Sequence, residues 1–239
     1  MTAPPLIDTS RHALFLDFDG TLVGLIDDPQ AVRIEPAAFD RLVELQKQLN
    51  GALAIVSGRK IADLDRFLSP MRFAAVGVHG LERRPQPGAE VRRLMQPSAL
   101  DPIRDALREG LEREPRLKLE DKGMALVLHY RTAPDLESEA RRLMREAAAD
   151  RDDMVTMNGD HIVEVHPAGM DKGRAVADLM TEPPFAGRRP IYAGDDVTDE
   201  FALAYVREAG GISVKIGRAE SCAEYRLENV AAVHAWLGA

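Results

Sequence analysis

A short apolar run that ends in two closely spaced acids constrains the fold of this chain more than any other feature. The run Ala13-Leu14-Phe15-Leu16 leads directly into Asp17-Phe18-Asp19-Gly20-Thr21. Because side chains alternate along a strand, Asp17 and Asp19 point to the same side where the strand ends. Open α/β sheets bind ligands at the carboxyl ends of their strands. The pair therefore indicates either a site that holds a cation or shares a proton, or an Asx turn at the strand end.

Three further polar clusters follow predicted strands or open predicted helices. Ser57-Gly58-Arg59 offers a hydroxyl and a guanidinium suited to phosphate, or alternatively a cap for the next helix. Lys172 lies in a first helical turn, where a cation opposes the helix dipole, so it indicates either a bound anion or a solvated side chain. The segment from Gly194 to Glu200 carries Asp195, Asp196 and Asp199. Hard oxygen ligands at this density favour Mg²⁺, although Asp196 and Glu200 also suit a helix cap.

The alternation of predicted strands and helices indicates an α/β fold with a doubly wound, Rossmann-like parallel sheet. The first part reads βαβαβ, with strands near 13–17, 52–56 and 73–77 and helices near 36–49 and 60–68. The same pattern resumes at Lys172, with strands near 190–194 and 212–216 and a closing helix near 228–237. We therefore expect both parts to build one core.

A different pattern separates the two parts of the core. Arg83 to Gly88 is polar and rich in proline, which predicts a linker or hinge. The order α-β-β-α-β-β follows, with a hairpin turn predicted at Asn158-Gly159. This order predicts a smaller inserted α+β cap domain. The expected division is a core of residues 1–83 and 167–239 and a cap of residues 84–166.

Composition narrows the classes of partner. A chain of 239 residues with 45% hydrophobic content can bury a sizeable core, and a net charge of −8 argues against nucleic acid or an anionic membrane as a partner. The single cysteine, Cys222, excludes an internal disulfide framework. The first residues lack the pattern of a signal peptide, and no apolar run suits a membrane span. We expect a cytoplasmic protein that is a monomer or a weak oligomer.

The four clusters together resemble the motifs of the haloacid dehalogenase-like phosphatase superfamily. D-F-D-G-T, S-G-R, D-K-G and G-D-D-x-T-D-E occur in this order between residues 17 and 200. Within the superfamily the chain is most similar to the trehalose-6-phosphate phosphatases. This closer resemblance is carried by three further segments: 77–82, 119–131 and 164–173.

The resemblance implies a role for each core residue. Asp17 is the nucleophile that forms an aspartyl-phosphate, and Asp19 transfers protons to the leaving sugar and from the attacking water. Ser57 and Lys172 hold the phosphoryl oxygens. Thr21 adds a hydrogen-bond donor, and Arg59 either orients the substrate or pairs with an acid. Mg²⁺ is held by Asp17, the backbone carbonyl of Asp19 and Asp195. Asp199 lies in or beside that coordination shell.

The resemblance also implies how a sugar would be recognised. Glu120, Lys122 and Glu164 match cap residues that contact sugar hydroxyls, and His79 approaches from the core. From the residues alone, Glu120 and Lys122 also suit an exposed salt bridge within a hairpin. The activity that the resemblance implies is Mg²⁺-dependent hydrolysis of a small-molecule sugar phosphate monoester, with trehalose 6-phosphate as the expected substrate. The alternatives are a phosphatase for sucrose phosphate or a glucosyl- or mannosyl-glycerol-type phosphate, a phosphosugar mutase, and a non-catalytic module that binds sugar phosphates.

Overall fold

The structure is a computed structural model that describes residues 3–26, 28, 30–94 and 96–239. The chain divides into two compact units. The core unit comprises residues up to 92 and residues from 171 onward, and the inserted unit comprises residues 93–170. The sequence predicts a cap of residues 84–166, whereas residues 84–92 lie in the core unit and residues 167–170 lie in the inserted unit.

The elements follow the order expected from the sequence, with three added strands at 82–84, 92–93 and 225–227. Those before the inserted unit are β1 (His12–Leu16), α1 (Pro36–Gln48), β2 (Leu53–Val56), α2 (Ile61–Phe67), β3 (Ala74–Gly77), β4 (Glu82–Arg84) and β5 (Arg92–Arg93). The next are α3 (Asp101–Arg113), β6 (Lys118–Asp121), β7 (Leu126–His129), α4 (Glu137–Ala147), β8 (Met154–Gly159) and β9 (Ile162–Pro167). The last are α5 (Lys172–Leu179), β10 (Arg189–Gly194), α6 (Glu200–Glu208), β11 (Ile212–Ile216), β12 (Tyr225–Leu227) and α7 (Val230–Leu237).

One sheet organises the core unit, with strand order β12-β11-β10-β1-β2-β3-β4-β5. The strands from β12 to β3 are parallel to one another, and β4 is antiparallel to β3. Every residue of β1, β2 and β11 is buried. Burial along the whole length of a strand is typical of parallel strands that are covered on both faces. The predicted doubly wound α/β fold is confirmed.

The predicted linker at Arg83–Gly88 is wrong at its start, because Arg83 and Arg84 belong to β4. Arg84 is buried and donates two hydrogen bonds to the Asp65 carboxylate at 2.6 and 2.8 Å, and a third to the carbonyl of Phe73. A guanidinium whose donors are satisfied in this way can be buried on a strand of the sheet. Polar composition alone therefore misled the prediction.

The inserted unit is an antiparallel sheet with two helices, and its predicted order α-β-β-α-β-β is confirmed. The strand order is β6-β7-β9-β8. One buried cluster joins α3 and α4 to one face of the sheet, and it includes Leu107, Leu128, Leu143 and Val165. The hairpin turn lies at Asp160-His161 and not at Asn158-Gly159, because Gly159 pairs with Ile162. In the described part of the chain, no helix has the length and apolar character needed to cross a membrane.

Candidate active site

The polar clusters of the core unit meet at the carboxyl ends of the central strands of its sheet. β1 lies between β10 and β2, with Leu16 level with Ala193 on one side and with Ile55 on the other. Asp17 follows β1, Ser57 follows β2, and the acidic loop 195–199 follows β10. The chain winds outward in opposite directions from β1 and β10, so this end of the sheet is the topological switch point at which open α/β sheets bind ligands.

A buried lysine joins two of the acids. Lys172, the first residue of α5, donates to Asp17 Oδ1 at 2.8 Å and to Asp199 Oδ1 at 2.6 Å. Burial opposes the charged form of Lys172, but the two carboxylates outweigh it and raise the pKa of this ammonium. Burial raises the pKa of Asp17 well above its usual range, and the charge of Asp199 adds to this, while Lys172 opposes it. The lysine thus offsets part of the repulsion between the acids.

Tyr192 completes the hydrogen bonding of Asp199 and was not identified from the sequence. Its hydroxyl donates to Asp199 Oδ1 at 2.6 Å, and the backbone N–H of Asp196 donates to Asp199 Oδ2 at 2.8 Å. With Lys172, both oxygens of Asp199 are therefore occupied. Burial and the charge of Asp199 raise the pKa of Tyr192 well above 10. The available signal was a tyrosine within a predicted buried strand, since such a hydroxyl needs a partner.

Asp195 differs from Asp199 in that one of its oxygens accepts no hydrogen bond from the described residues. It is half-buried, and among the described residues its Oδ1 atom is buried without a hydrogen-bond partner. Burial, followed by the charges of Asp199 and Asp196, raises the pKa of Asp195 to about 6. Gly20 permits this position, because a Cβ there would lie 2.0 Å from Asp195 Oδ2 and the Gly20 φ of +77° disfavours other residues.

The donor set suits a small hard cation. Asp17, Asp195 and Asp199 each offer an oxygen, and these atoms lie within 4.8 Å of one another. The unpartnered oxygen of Asp195 is the kind of buried atom that a bound ion would satisfy. All of the donors are carboxylate oxygens, which favour Mg²⁺ over softer metals.

Arg59 pairs with an acid, which was one of its two expected roles. Its Nε donates to Asp19 Oδ2 at 2.6 Å and its Nη2 donates to Asp19 Oδ1 at 2.7 Å. The guanidinium carbon also lies 4.9 Å from the ring centre of Phe67 and 5.8 Å from that of Phe18. A bidentate, stacked guanidinium is held in one orientation, and it holds the Asp19 carboxylate in turn.

The loops beside these residues place the other predicted core positions. Ser57 is buried, and its hydroxyl accepts a hydrogen bond from the backbone N–H of Arg59. Thr21 is buried with a hydroxyl that has no partner in the described ranges. Val78 and His79 both have positive φ, of 47° and 52°, which is strained for these residue types. Such strain is often found at functional loops.

The predicted cap residues lie in the inserted unit. Glu120 is level with Val127 on β7, and Val127 is level with Glu164 on β9, so both acids share a face of that sheet. This face is opposite to the one that packs against α3 and α4, which is formed by the alternate residues of these strands. Lys122 Nζ lies 3.4 Å from Glu164 Oε2, and Glu120 lies 2.9 Å from His129 Nε2.

The two remaining acids of the G-D-D-x-T-D-E segment, Asp196 and Glu200, have separate contacts. Asp196 is exposed and accepts a hydrogen bond from the hydroxyl of Thr198 at 3.2 Å. Glu200 begins α6, but the hydrogen bonds of its side chain go to Lys215, Ser221 and Cys222. Glu200 thus joins the start of α6 to β11 and the loop that follows it.

Comparison with known proteins gives a consistent result. Residues 15–231 match the family described as trehalose-phosphatase. The trehalose-6-phosphate phosphatase of Escherichia coli is 39% identical, covering 98% of this chain and 89% of the relative. A probable trehalose-phosphate phosphatase of Sinorhizobium fredii is 41% identical over 88% of this chain and 79% of its own length. The C-terminal domain of a C. albicans trehalose-6-phosphate phosphatase has a TM-score of 0.78 at 24% identity, covering 98% of this chain and 97% of that one.

Proposed function

Because the chain belongs to the trehalose-phosphatase family, we propose that it is a Mg²⁺-dependent phosphatase that hydrolyses trehalose 6-phosphate to trehalose and phosphate. The observation that carries the proposal is the buried contact of Lys172 with Asp17 at the switch point of the sheet. A cation at this position neutralises charge that develops on a transferring phosphoryl group. A module that only bound sugar phosphates would have little need for an acid held in this way.

The chemistry divides into two displacements. In the first, a carboxylate oxygen of Asp17 forms a bond to phosphorus while the bond from phosphorus to the sugar oxygen breaks. For this step Asp19 is protonated on one oxygen and keeps a hydrogen bond from Arg59 on the other, and it gives that proton to the departing oxygen. In the second, Asp19 takes a proton from water as the water oxygen attacks phosphorus and releases Asp17. Covalent catalysis of this kind replaces one difficult step by two easier ones.

Two of the acids and one carbonyl would hold Mg²⁺. We assign this role to Asp17, Asp195 and the backbone carbonyl of Asp19. The hydrogen bonds to both oxygens of Asp199 support a position for Asp199 beside the shell rather than in it. When bound, Mg²⁺ supplies positive charge that offsets the negative charge of the phosphoryl oxygens. Ser57 and Lys172 would contact the same oxygens, with Thr21 as a further donor.

We assign recognition of the sugar to the inserted unit. Glu164 and Lys122 are close together, and Glu120 lies in the same row of that sheet face. Carboxylates and an ammonium are suitable partners for sugar hydroxyls. His79 would add a contact from the core unit. The net charge of −8 supports a small-molecule substrate over nucleic acid. The cytoplasmic location, the absence of a membrane partner and the monomeric or weakly oligomeric state stay predictions.

A substrate panel tests the proposed function. Phosphate release by the full chain is measured with Mg²⁺ and with a chelator, on trehalose 6-phosphate, sucrose 6-phosphate, glucosylglycerol phosphate, glucose 6-phosphate and p-nitrophenyl phosphate. We expect the highest kcat/KM on trehalose 6-phosphate and no activity with chelator. Equal efficiency on glucose 6-phosphate would refute the disaccharide assignment. An inactive protein that binds trehalose 6-phosphate would support the non-catalytic alternative, and phosphate retained on an isomerised sugar would support a mutase.

Substitutions in the inserted unit test the assignment of the sugar contacts. Lys122→Met and Glu164→Gln should lower kcat/KM for trehalose 6-phosphate by about one to three decades, because unpaired buried groups cost about 1–3 kcal/mol each. The matched control is Lys118→Met, which changes an exposed lysine at the other end of β6. Activity on p-nitrophenyl phosphate should change far less. Equal losses on both substrates would show that these residues support folding instead.

A further inference from the structure

A second buried lysine of the core unit takes no part in the chemistry proposed above. Lys215 lies on β11 level with Gly194, the last residue of β10, and its side chain is only 2% exposed. Lysine is almost never buried to this extent without a partner, because removing its charge from water is costly. Lys215 therefore needs a specific reason for its position.

The contacts of Lys215 supply that reason. Its Nζ donates to Glu200 Oε1 at 3.1 Å and to the backbone carbonyl of Asp196 at 3.3 Å. The other oxygen of Glu200 accepts from the hydroxyl of Ser221 at 3.1 Å and from the backbone N–H of Cys222 at 3.0 Å. We call Lys215 and Glu200 the brace. The brace ties the loop after β10 to the loop after β11.

The contacts of the brace fall on the loop that carries two of the three acids of the candidate metal site. Asp195 and Asp199 lie on the loop whose carbonyl at Asp196 accepts from Lys215 and whose end at Glu200 is paired with it. Neither brace residue is among the three acids that could hold a metal. Residues that hold the backbone of a ligand loop fix the direction of its carboxylates.

We propose that Lys215, paired with Glu200, is a positioning residue that holds the loop of Asp195 and Asp199 in the geometry needed to bind Mg²⁺. The inference rests on the proposed function, since it assumes that this loop binds Mg²⁺. It gives a role to Glu200, the final Glu of the G-D-D-x-T-D-E segment, for which the sequence leaves both a helix cap and a place in the acidic cluster open.

The sign of the effect distinguishes positioning from simple charge. Lys215 carries a positive charge close to the site, so its charge alone opposes the binding of a cation. If charge were its only influence, Lys215→Met would bind Mg²⁺ more tightly. If Lys215 positions the loop, the same substitution binds Mg²⁺ more weakly despite the removed repulsion. The two roles predict opposite shifts.

The experiment is a titration of the full chain with Mg²⁺ in the absence of substrate. Binding is measured by calorimetry and by the rise in Tm that Mg²⁺ causes. We compare wild type, Lys215→Met and the double variant Lys215→Met/Glu200→Gln. The double variant leaves no unpaired charge, so it is expected to fold even where the single variant does not. Loss of a residue that positions metal ligands typically weakens metal affinity by about 10–100-fold, and we expect at least about tenfold for both. Arg218→Met is the control, because it removes an exposed cation from the loop after β11.

The outcomes separate this inference from the proposed function. Mg²⁺ binding that is weaker in both brace variants and unchanged in Arg218→Met supports it. Unchanged or tighter binding in the double variant overturns it, whatever the single variant does. If wild type itself shows no Mg²⁺ binding and no phosphate release, the proposed function fails instead. A phosphate-release assay adds a further check, because the lost activity of Lys215→Met should return in excess Mg²⁺.

Discussion

Asp195→Asn should stabilise the metal-free protein while it abolishes the response to Mg²⁺. Asp195 is half-buried beside Asp199 and Asp196, and its pKa is about 6 instead of the usual 3.8. Ionising it in the folded state therefore costs more than in the unfolded chain. At a pH above both values this difference corresponds to about 3 kcal/mol, and partial exposure reduces the expected gain to about 2 kcal/mol. An amide of the same shape has no charge and avoids this cost.

The gain has a defined pH dependence. Because the folded-state pKa of Asp195 is raised, its ionisation destabilises the fold fully above about pH 6 and less as the pH falls toward 3.8. The advantage of the asparagine variant should be largest near about pH 8 and fall to about a third of that near about pH 4.5. In a chain of this size, about 2 kcal/mol raises Tm by about 4–8 °C.

The assay is thermal unfolding of wild type and variant at both pH values, with chelator and with saturating Mg²⁺. With Mg²⁺ the order should reverse, because only wild type gains binding energy from the ion. Asp40→Asn is the control, since it removes the same charge from an exposed position on α1 and should change the free energy of unfolding by less than about 0.5 kcal/mol. A lower Tm for the variant in chelator at the higher pH, or an equal gain at both pH values, would refute the reasoning.

Three further substitutions test the rest of the site. Asp17→Asn should lower kcat by several orders of magnitude without loss of fold, as seen by circular dichroism, because an amide is a poor nucleophile. Arg59→Met should lower kcat for trehalose 6-phosphate by about 10–100-fold through misplacement of Asp19, and p-nitrophenyl phosphate, whose leaving group needs little protonation, should lose less. Tyr192→Phe should destabilise the protein by about 1–3 kcal/mol and lower kcat with little change in KM, and an unaltered kcat would show that Tyr192 serves only the core.

Sequence reasoning succeeded where a local pattern determines a local structure. The strand before Asp17 and the strand before Ser57 were predicted to within about a residue at each end, since continuous apolar runs define buried strands. The meeting of their ends follows from the rule for parallel sheets. Pairing between particular side chains does not follow from either, so Arg59 had two expected roles until its contact with Asp19 was seen.

The wrong predictions share a cause, which is that the local residue pattern does not specify the contacts that decide the structure. Arg84 lies in a strand because Asp65 and the carbonyl of Phe73, both distant in sequence, satisfy its guanidinium. The turn at Asp160-His161 is selected by the pairing of β8 with β9, which overrides the local preference of Asn-Gly. The roles of Tyr192 and Lys215 likewise depend on partners brought close by the sheet. From the sequence alone, Tyr192 reads as a packing residue of an apolar strand and Lys215 as a solvated side chain.

In the sequence, the inserted unit separates β1 from β10, and this order affects the synthesis and folding of the chain. β1 pairs with β2 on one side, but its other neighbour begins only at Arg189, after the whole inserted unit has been synthesised. At typical rates of translation this interval is on the order of 10–30 s. Throughout it, a strand of mostly apolar residues has one edge open to pairing with other chains, which is a recognised route to aggregation. The strand that leads to Asp17 therefore needs protection in the nascent chain until β10 arrives.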